Sequence, residues 1–299
     1  MQSLSDIRAI HDQPLRELAE AAASLHRGRW EASRAKLRGG NRVTIGACGK
    51  GCGCCTQGQP VPSAAPASIR AAEDVAAAAK ALREAGQERV CVALPPGGGP
   101  DFESMLSLIR QLRAAGSEVC ADLDVQGIEE ARKLKGAGCR VLCRRLGMDD
   151  ALKADDTKPC LSERQAQGFQ WAMQAGLQVC FRCLLGSGDR AEDRLCLLHV
   201  LASGTMRPDV VHVRLPAPSP DGEDLLPASD VIRFIATTRI LLPDCRIHLA
   251  MDRRRLDRGS VMMVHACGAN SIEYIPPRTG RKGSGSYADN TDLPTRWVH

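Results

Sequence analysis

Residues 89–123 read RVCVALPPGGGPDFESMLSLIRQLRAAGSEVCADL. A short aliphatic run (Arg89 to Leu94) is followed by an amphipathic stretch from Phe102 to Ala115, a glycine stop at Gly116, and a second aliphatic run from Glu118 to Leu123. Apolar residues that alternate and then recur at three- and four-residue spacing give a strand, a helix and a strand, the size of one βα unit. The pattern repeats along the chain. Candidate strands are Arg42–Ile45, Arg89–Leu94, Glu118–Leu123, Arg140–Leu146, Gln178–Leu185, Asp209–Leu215, Arg246–Met251 and Asn270–Tyr274, and further helical stretches run from Ala71 to Ala85 and from Gln165 to Ala175. Eight such units are what an α/β fold of the TIM-type (βα)8 parallel barrel requires. Periodicity does not reveal closure, so a doubly wound open sheet is the alternative.

Outside the repeat, residues 5–36 carry a helical pattern (Leu15, Leu18, Ala22, Leu25), the signature of an N-terminal helical extension acting as a lid or plug. The expected division is a helical extension over 1–40, a barrel domain over 41–275 and an exposed Gly-, Ser- and Arg-rich tail over 276–299. The chain is 43% hydrophobic and 25% charged with only 3% aromatics, so aliphatic packing dominates the expected core. A net charge of +5 without clustered basic residues argues against nucleic acid as a partner. No run is apolar enough for a membrane helix and Met1 to Ile10 lacks a signal-peptide core, so the expected location is the cytoplasm, away from any membrane. Fourteen cysteines are many for a reducing compartment, which points some of them toward metal or thiol chemistry and leaves the rest as small buried hydrophobes.

Directly after the first candidate strand comes Gly46-Ala47-Cys48-Gly49-Lys50-Gly51-Cys52-Gly53-Cys54-Cys55. The glycines let the backbone wrap so that Cys48, Cys52 and Cys55, spaced Cys-x3-Cys-x2-Cys, converge on one 4Fe–4S cubane whose fourth iron has no protein ligand. A structural zinc site is the rival, but it wants four closed ligands and no matching second pair follows nearby. Polar residues also interrupt the aliphatic strands. Facing the helices would be costly for them, so they should face the barrel interior. Cys91, Cys120 and Cys180 occupy equivalent places in three strands, and either meet inside the barrel or are unrelated buried thiols. Arg145, Arg182 and Arg214 share inward faces with Cys143, Cys180 and His212; such charge asks for an anionic ligand or for salt bridges with residues such as Asp122.

The chain resembles the radical S-adenosylmethionine superfamily, and within it the biotin synthase family. The likeness runs from about residue 14 to 275: Pro14-Leu15 through Leu25-His26-Arg27, the motif framed by Gly46-Ala47-Cys48 and Thr56-Gln57, and Gly268-Ala269-Asn270-Ser271-Ile272 with Tyr274. It implies S-adenosylmethionine chelated to the open iron and split by one electron, from a flavodoxin- or ferredoxin-type donor, into methionine and a 5′-deoxyadenosyl radical that abstracts hydrogen from an unactivated carbon. It also implies that Cys91, Cys120 and Cys180 hold an auxiliary iron–sulfur cluster of the 2Fe–2S kind, the sulfur source. The fourth ligand would be His248, where the family has arginine; Cys183 is the next candidate, and a His248 that only hydrogen-bonds substrate is the plainer reading.

The resemblance implies further cofactor contacts by Cys54, by Arg164, and by the turn Leu184-Leu185-Gly186-Ser187-Gly188-Asp189, which an ordinary strand-to-helix turn also explains. Cys54 stands where the family has an aromatic residue beside adenine, which leaves a spare ligand or a tolerated small side chain. Cys143, Arg145 and Gly147 replace an Asn-x-Asn-x-Asp string, and His212 a later asparagine, so Cys143, Arg145, His212 and Arg214 form the expected substrate set and dethiobiotin is not assumed. The expected substrate is a small, anionic molecule, and a homodimer is left open. The function implied is sulfur insertion of the biotin or lipoyl type. A relative that rearranges or fragments an amino-acid-like substrate, as hydrogenase maturases and methylornithine synthase do, and a non-catalytic iron–sulfur carrier are the alternatives.

Overall fold

The computed structural model describes residues 3–30, 80, 89–93, 101–146, 163–186, 188–202, 207–216 and 225–274. The cysteine motif at 46–55, the candidate strand at 42–45, nearly all of the helical stretch at 71–85 and the tail at 276–299 lie outside them.

Among the described residues seven strands follow one another: β1 Arg89–Ala93, β2 Glu118–Asp122, β3 Cys139–Leu146, β4 Gln178–Leu184, β5 Val210–Arg214, β6 Arg246–Met251 and β7 Ser271–Tyr274. Every neighbouring pair is parallel and the sheet order is the sequence order. The sheet is curled as a half-barrel, which bears out the parallel α/β barrel expected from the repeat. A single consecutive order also removes the doubly wound alternative, which needs a point where strand order reverses.

Helices α3 (Phe102–Ala114), α4 (Ile128–Ala137), α5 (Glu163–Gln174), α6 (Ala191–Ala202), α7 (Ala228–Leu241) and α8 (Arg258–Cys267) alternate with the strands. Two of them begin on aspartate caps, Asp101 accepting from Ser104 N–H at 2.8 Å and Asp257 from Ser260 N–H at 2.9 Å. The expected stop at Gly116, after α3, takes φ +87°, a conformation that side-chain-bearing residues resist.

Two apolar clusters expose the strand alternation. Val90, Val92, Val119, Ala121, Leu142, Val179, Phe181, Val211, Val213, Ile247, Leu249 and Ile272 join the helices in the large core. The opposite face carries a small separate cluster of Cys120, Val141, Cys143, Cys180 and Val210 with Cys91 packed on it, inside the curl. Cys183 belongs to the helix-facing core, so its thiol points away from that interior.

The N-terminal segment departs from one continuous helix. It is α1 (Leu4–His11) and α2 (Leu15–Trp30), broken at Pro14, whose ring denies a backbone N–H and pushes the preceding residue out of helical geometry. Among the described residues it packs on outer helices: α1 against α6 and α7, α2 against α7 and α8.

Candidate functional site

The interior polar residues stack in layers set by strand register. Cys91 on β1 is level with Cys120 on β2. Between Val119 and Cys120 the register to β3 slips, so that Cys120 meets Val141 and Asp122 meets Cys143. Cys143 pairs directly with Cys180 on β4. The next inward layer is Arg182, His212, His248 and Ser271, with Arg145 at the matching register position of β3, and above it are Leu184, Arg214, Ala250 and Glu273. The side chains of Arg145 and Arg164 are outside the described residues.

At the bottom of this stack the Sγ atoms of Cys91, Cys120 and Cys143 lie within 4.8 Å of one another. Cys180 packs in the same interior cluster. The three thiols are free and hydrogen-bond to one another, and Cys120 Sγ also donates to Val90 O at 3.5 Å. The bond to Cys120 would lower the Cys91 pKa, but the bond to Cys143 and burial push it up to about 12. Cys120 is raised well above the usual thiol value by its bonds to Cys143 and Cys91 and by burial. Left to themselves these thiols hold their protons, and a metal centre binds them by displacing those protons.

One layer up, Arg182 is bonded to Asp122, with side-chain exposures of 15% and 11%. Burial alone would lower its pKa, but Asp122 and the nearby thiols of Cys91, Cys143 and Cys180 raise it. The salt bridge to Asp122 anticipated for the inward arginines is therefore present. The guanidinium also offsets negative charge on deprotonated thiols below it. Buried thiols that converge on a point beside a cation fit a thiolate-ligated iron–sulfur centre. His248 Nδ1 bonds Ser271 Oγ, and its ring stands edge-on to His212 with centroids 6.4 Å apart.

After β4, Gly186 takes φ +76° and a Cβ there would meet Leu226 Cβ at 2.9 Å and Arg255 Nη2 at 3.1 Å, so only glycine fits. Its N–H donates to Asp189, whose other oxygen accepts from Arg194 at 3.0 Å; Arg194 in turn reaches Asp230 at 3.0 Å. Asp189 thus fixes the shape of the turn, while no described residue lies within 4 Å of a Cβ built on Gly188 (φ +83°).

The sequence reading had not grouped Cys143 with the other thiols. Its inward parity is legible in the sequence, but the register slip that sets it level with Asp122, one inward position above Cys91 and Cys120, is not. The buried Arg194, Arg239 and Arg255 also carried no sequence signal.

No family model matches the chain. Among curated proteins it is 30% identical over 284 residues to the biotin synthase of Methylobacterium sp. (strain 4-46), covering 91% of this chain and 85% of that one. It is 30% identical over 285 residues to the biotin synthase of Methylorubrum extorquens (strain PA1), covering 91% and 84%. The chain belongs to the biotin synthase family. Among solved structures, the FeFe-hydrogenase maturase HydG superposes with a TM-score of 0.68 at 16% identity; the alignment covers 91% of this chain but 64% of that one. Methylornithine synthase superposes with a TM-score of 0.65 at 18% identity, covering 97% and 88%. At those identities the two structures establish the barrel fold alone.

Membership in the biotin synthase family makes this protein a radical S-adenosylmethionine enzyme, with a 4Fe–4S cluster and S-adenosylmethionine as cofactors. It acts on a small molecule and takes electrons from a reductant. No helix among the described residues is long and apolar enough to cross a membrane.

Proposed function

We propose that the protein inserts sulfur at an unactivated carbon of a small anionic molecule, using an auxiliary iron–sulfur cluster in the barrel interior as the sulfur donor. The observation that carries this reading is the approach of Cys91, Cys120 and Cys143 to within 4.8 Å inside the curl, with Cys180 in the same cluster and the Arg182–Asp122 pair above them. In this reading Cys48, Cys52 and Cys55 hold the 4Fe–4S cluster, with Cys54 beside the cofactor. When bound, the two centres and S-adenosylmethionine supply the 5′-deoxyadenosyl radical and the sulfide.

The chain's own residues do the positioning. Val141 and Val210 line the thiol layer with apolar surface and limit water there. Arg182, neutralised in part by Asp122, holds a fixed positive field over the thiolates. His212, His248, Arg145 and Arg214 occupy the two layers above and orient a carboxylate-bearing substrate by hydrogen bonds and charge. The backbone of the Gly186–Gly188 turn, held by Asp189, and Arg164 serve S-adenosylmethionine. A flavodoxin- or ferredoxin-type protein is the electron donor in the cytoplasm.

The test is anaerobic reconstitution with iron and sulfide, then S-adenosylmethionine, dithionite, and dethiobiotin or an octanoyl-lysine peptide as probe. Expected are 5′-deoxyadenosine, a thiolated product and loss of protein-bound sulfide in step with it. Uptake of zinc in preference to iron, or turnover that leaves bound sulfide intact, would refute the proposal.

A further inference from the structure

We propose that Cys143 is a ligand of the interior iron–sulfur centre, completing a four-thiolate set with Cys91, Cys120 and Cys180 and leaving His248 outside it. The inference rests on the reading that the inner thiols hold a cluster, and it names their fourth member. Cys143 is the residue that links the others. Its Sγ lies within 4.8 Å of those of both Cys91 and Cys120, and its backbone pairs directly with Cys180 on the neighbouring strand. Thiolates sharing one tetrahedral metal at a metal–sulfur distance of about 2.3 Å sit about 3.8 Å apart, so small side-chain rotations bring this trio onto one centre.

His248 is placed differently. The β6 residue level with the Cys143–Cys180 pair is Arg246, and His248 stands one inward position further toward the strand's C-terminal end, level with Arg182 and His212. Exchanging a neutral nitrogen ligand for a thiolate adds one negative charge to the centre. Arg182, buried over the thiols and paired with Asp122, supplies charge of the opposite sign.

The experiment uses the full chain with Cys48, Cys52 and Cys55 changed to alanine, so that only the interior centre is read. Into it go Cys143→Ala, Cys143→Ser, His248→Ala and, as a helix-facing control, Cys183→Ser. After anaerobic reconstitution, iron and sulfide per chain, Mössbauer spectra and pulsed-EPR nitrogen couplings are measured, with circular dichroism as the folding check. We expect Cys143→Ala to lose at least half of the interior iron and sulfide. Cys143→Ser should retain iron with altered Mössbauer parameters, as oxygen replaces sulfur at one site. His248→Ala and Cys183→Ser should match the parent, and no imidazole coupling should be seen. Full iron with an unchanged spectrum in both Cys143 variants, or a lost imidazole coupling in His248→Ala, would overturn the assignment while sparing the cluster itself. No interior iron in the parent would instead overturn the cluster reading beneath it.

Discussion

At the scale of single residues, the interior of this barrel is organised by charge that has been taken out of water. Arg182 and Asp122 are mutual partners, and breaking a buried pair from one side leaves an uncompensated ion. Asp122→Asn should therefore destabilise the metal-free protein by about 3–5 kcal/mol in urea unfolding, with Arg182→Met in the same chain recovering most of the loss. Arg255 is the opposite case. It is 7% exposed, and its Nε, Nη1 and Nη2 find no acceptor among the described residues, because Asp252 is held by both oxygens on Arg254. Burial lowers its pKa, with Asp252 partly offsetting. Replacing Arg255 by methionine should stabilise the ligand-free protein, on the order of 1–4 kcal/mol; a lower thermal midpoint would show that an acid of the chain already serves it. How legible such residues were depended on pattern. Cys91, Cys120 and Cys180 could be placed inside because polar residues in apolar strands have one cheap direction to face. The level of Cys143 depended on a slip between β2 and β3 that involves two distant segments, and Arg255 sits in a loop without periodicity.

At the scale of elements, the strand and helix spans follow the aliphatic and amphipathic patterns to within a residue or two, since parallel strands buried on both faces read as near-continuous apolar runs. The N-terminal extension is where the pattern misleads: the periodic residues Leu15, Leu18, Ala22 and Leu25 all follow Pro14, and the stretch before it forms a separate helix. What the pattern also hid is the surface on which α2 docks. Trp30 Nε1 donates to Pro243 O at 3.0 Å, the Arg239 guanidinium lies 5.4 Å from the centre of the Trp30 ring, and His26 meets His265 edge-on at 6.3 Å. Burial first, then Arg239 and His265, lower the His26 pKa to about 4 from 6.5. A histidine whose folded pKa is depressed stays neutral while its unfolded counterpart protonates, so the stability it contributes is present above pH 6.5 and lost as pH falls toward about 4. Urea midpoints measured across that window should fall with acidification in the parent chain and fall less steeply in His26→Gln. Equal slopes would mean that α2 docking is insensitive to this imidazole.

At the scale of the whole molecule, the seven described parallel strands in sequence order have two faces of different make-up, an outer one packed against the helices and an inner one that carries the thiol cluster. The division extends to the thiols. Cys139, Cys245 and Cys267 lie in the outer core, and burial pushes each up to about 12 from 9.0. The unfolded chain releases those protons near pH 9 while the folded chain keeps them to about 12, so their contribution is complete below the lower value and is lost as pH rises through the upper one. The metal-free protein should accordingly lose thermal stability progressively above about pH 9. Replacing Cys245 and Cys267 together by alanine should flatten that decline, at the cost of a lower midpoint near neutrality. Iron loading should remove only the share of the decline that Cys91 and Cys120 contribute and leave that of the outer thiols, which face the helices and take no part in the proposed interior centre. If loading instead abolished the whole decline, including the part that the Cys245/Cys267 alanine variant removes, outer-core thiols would be contributing ligands, and the proposed confinement of ligands to the inner face would not hold.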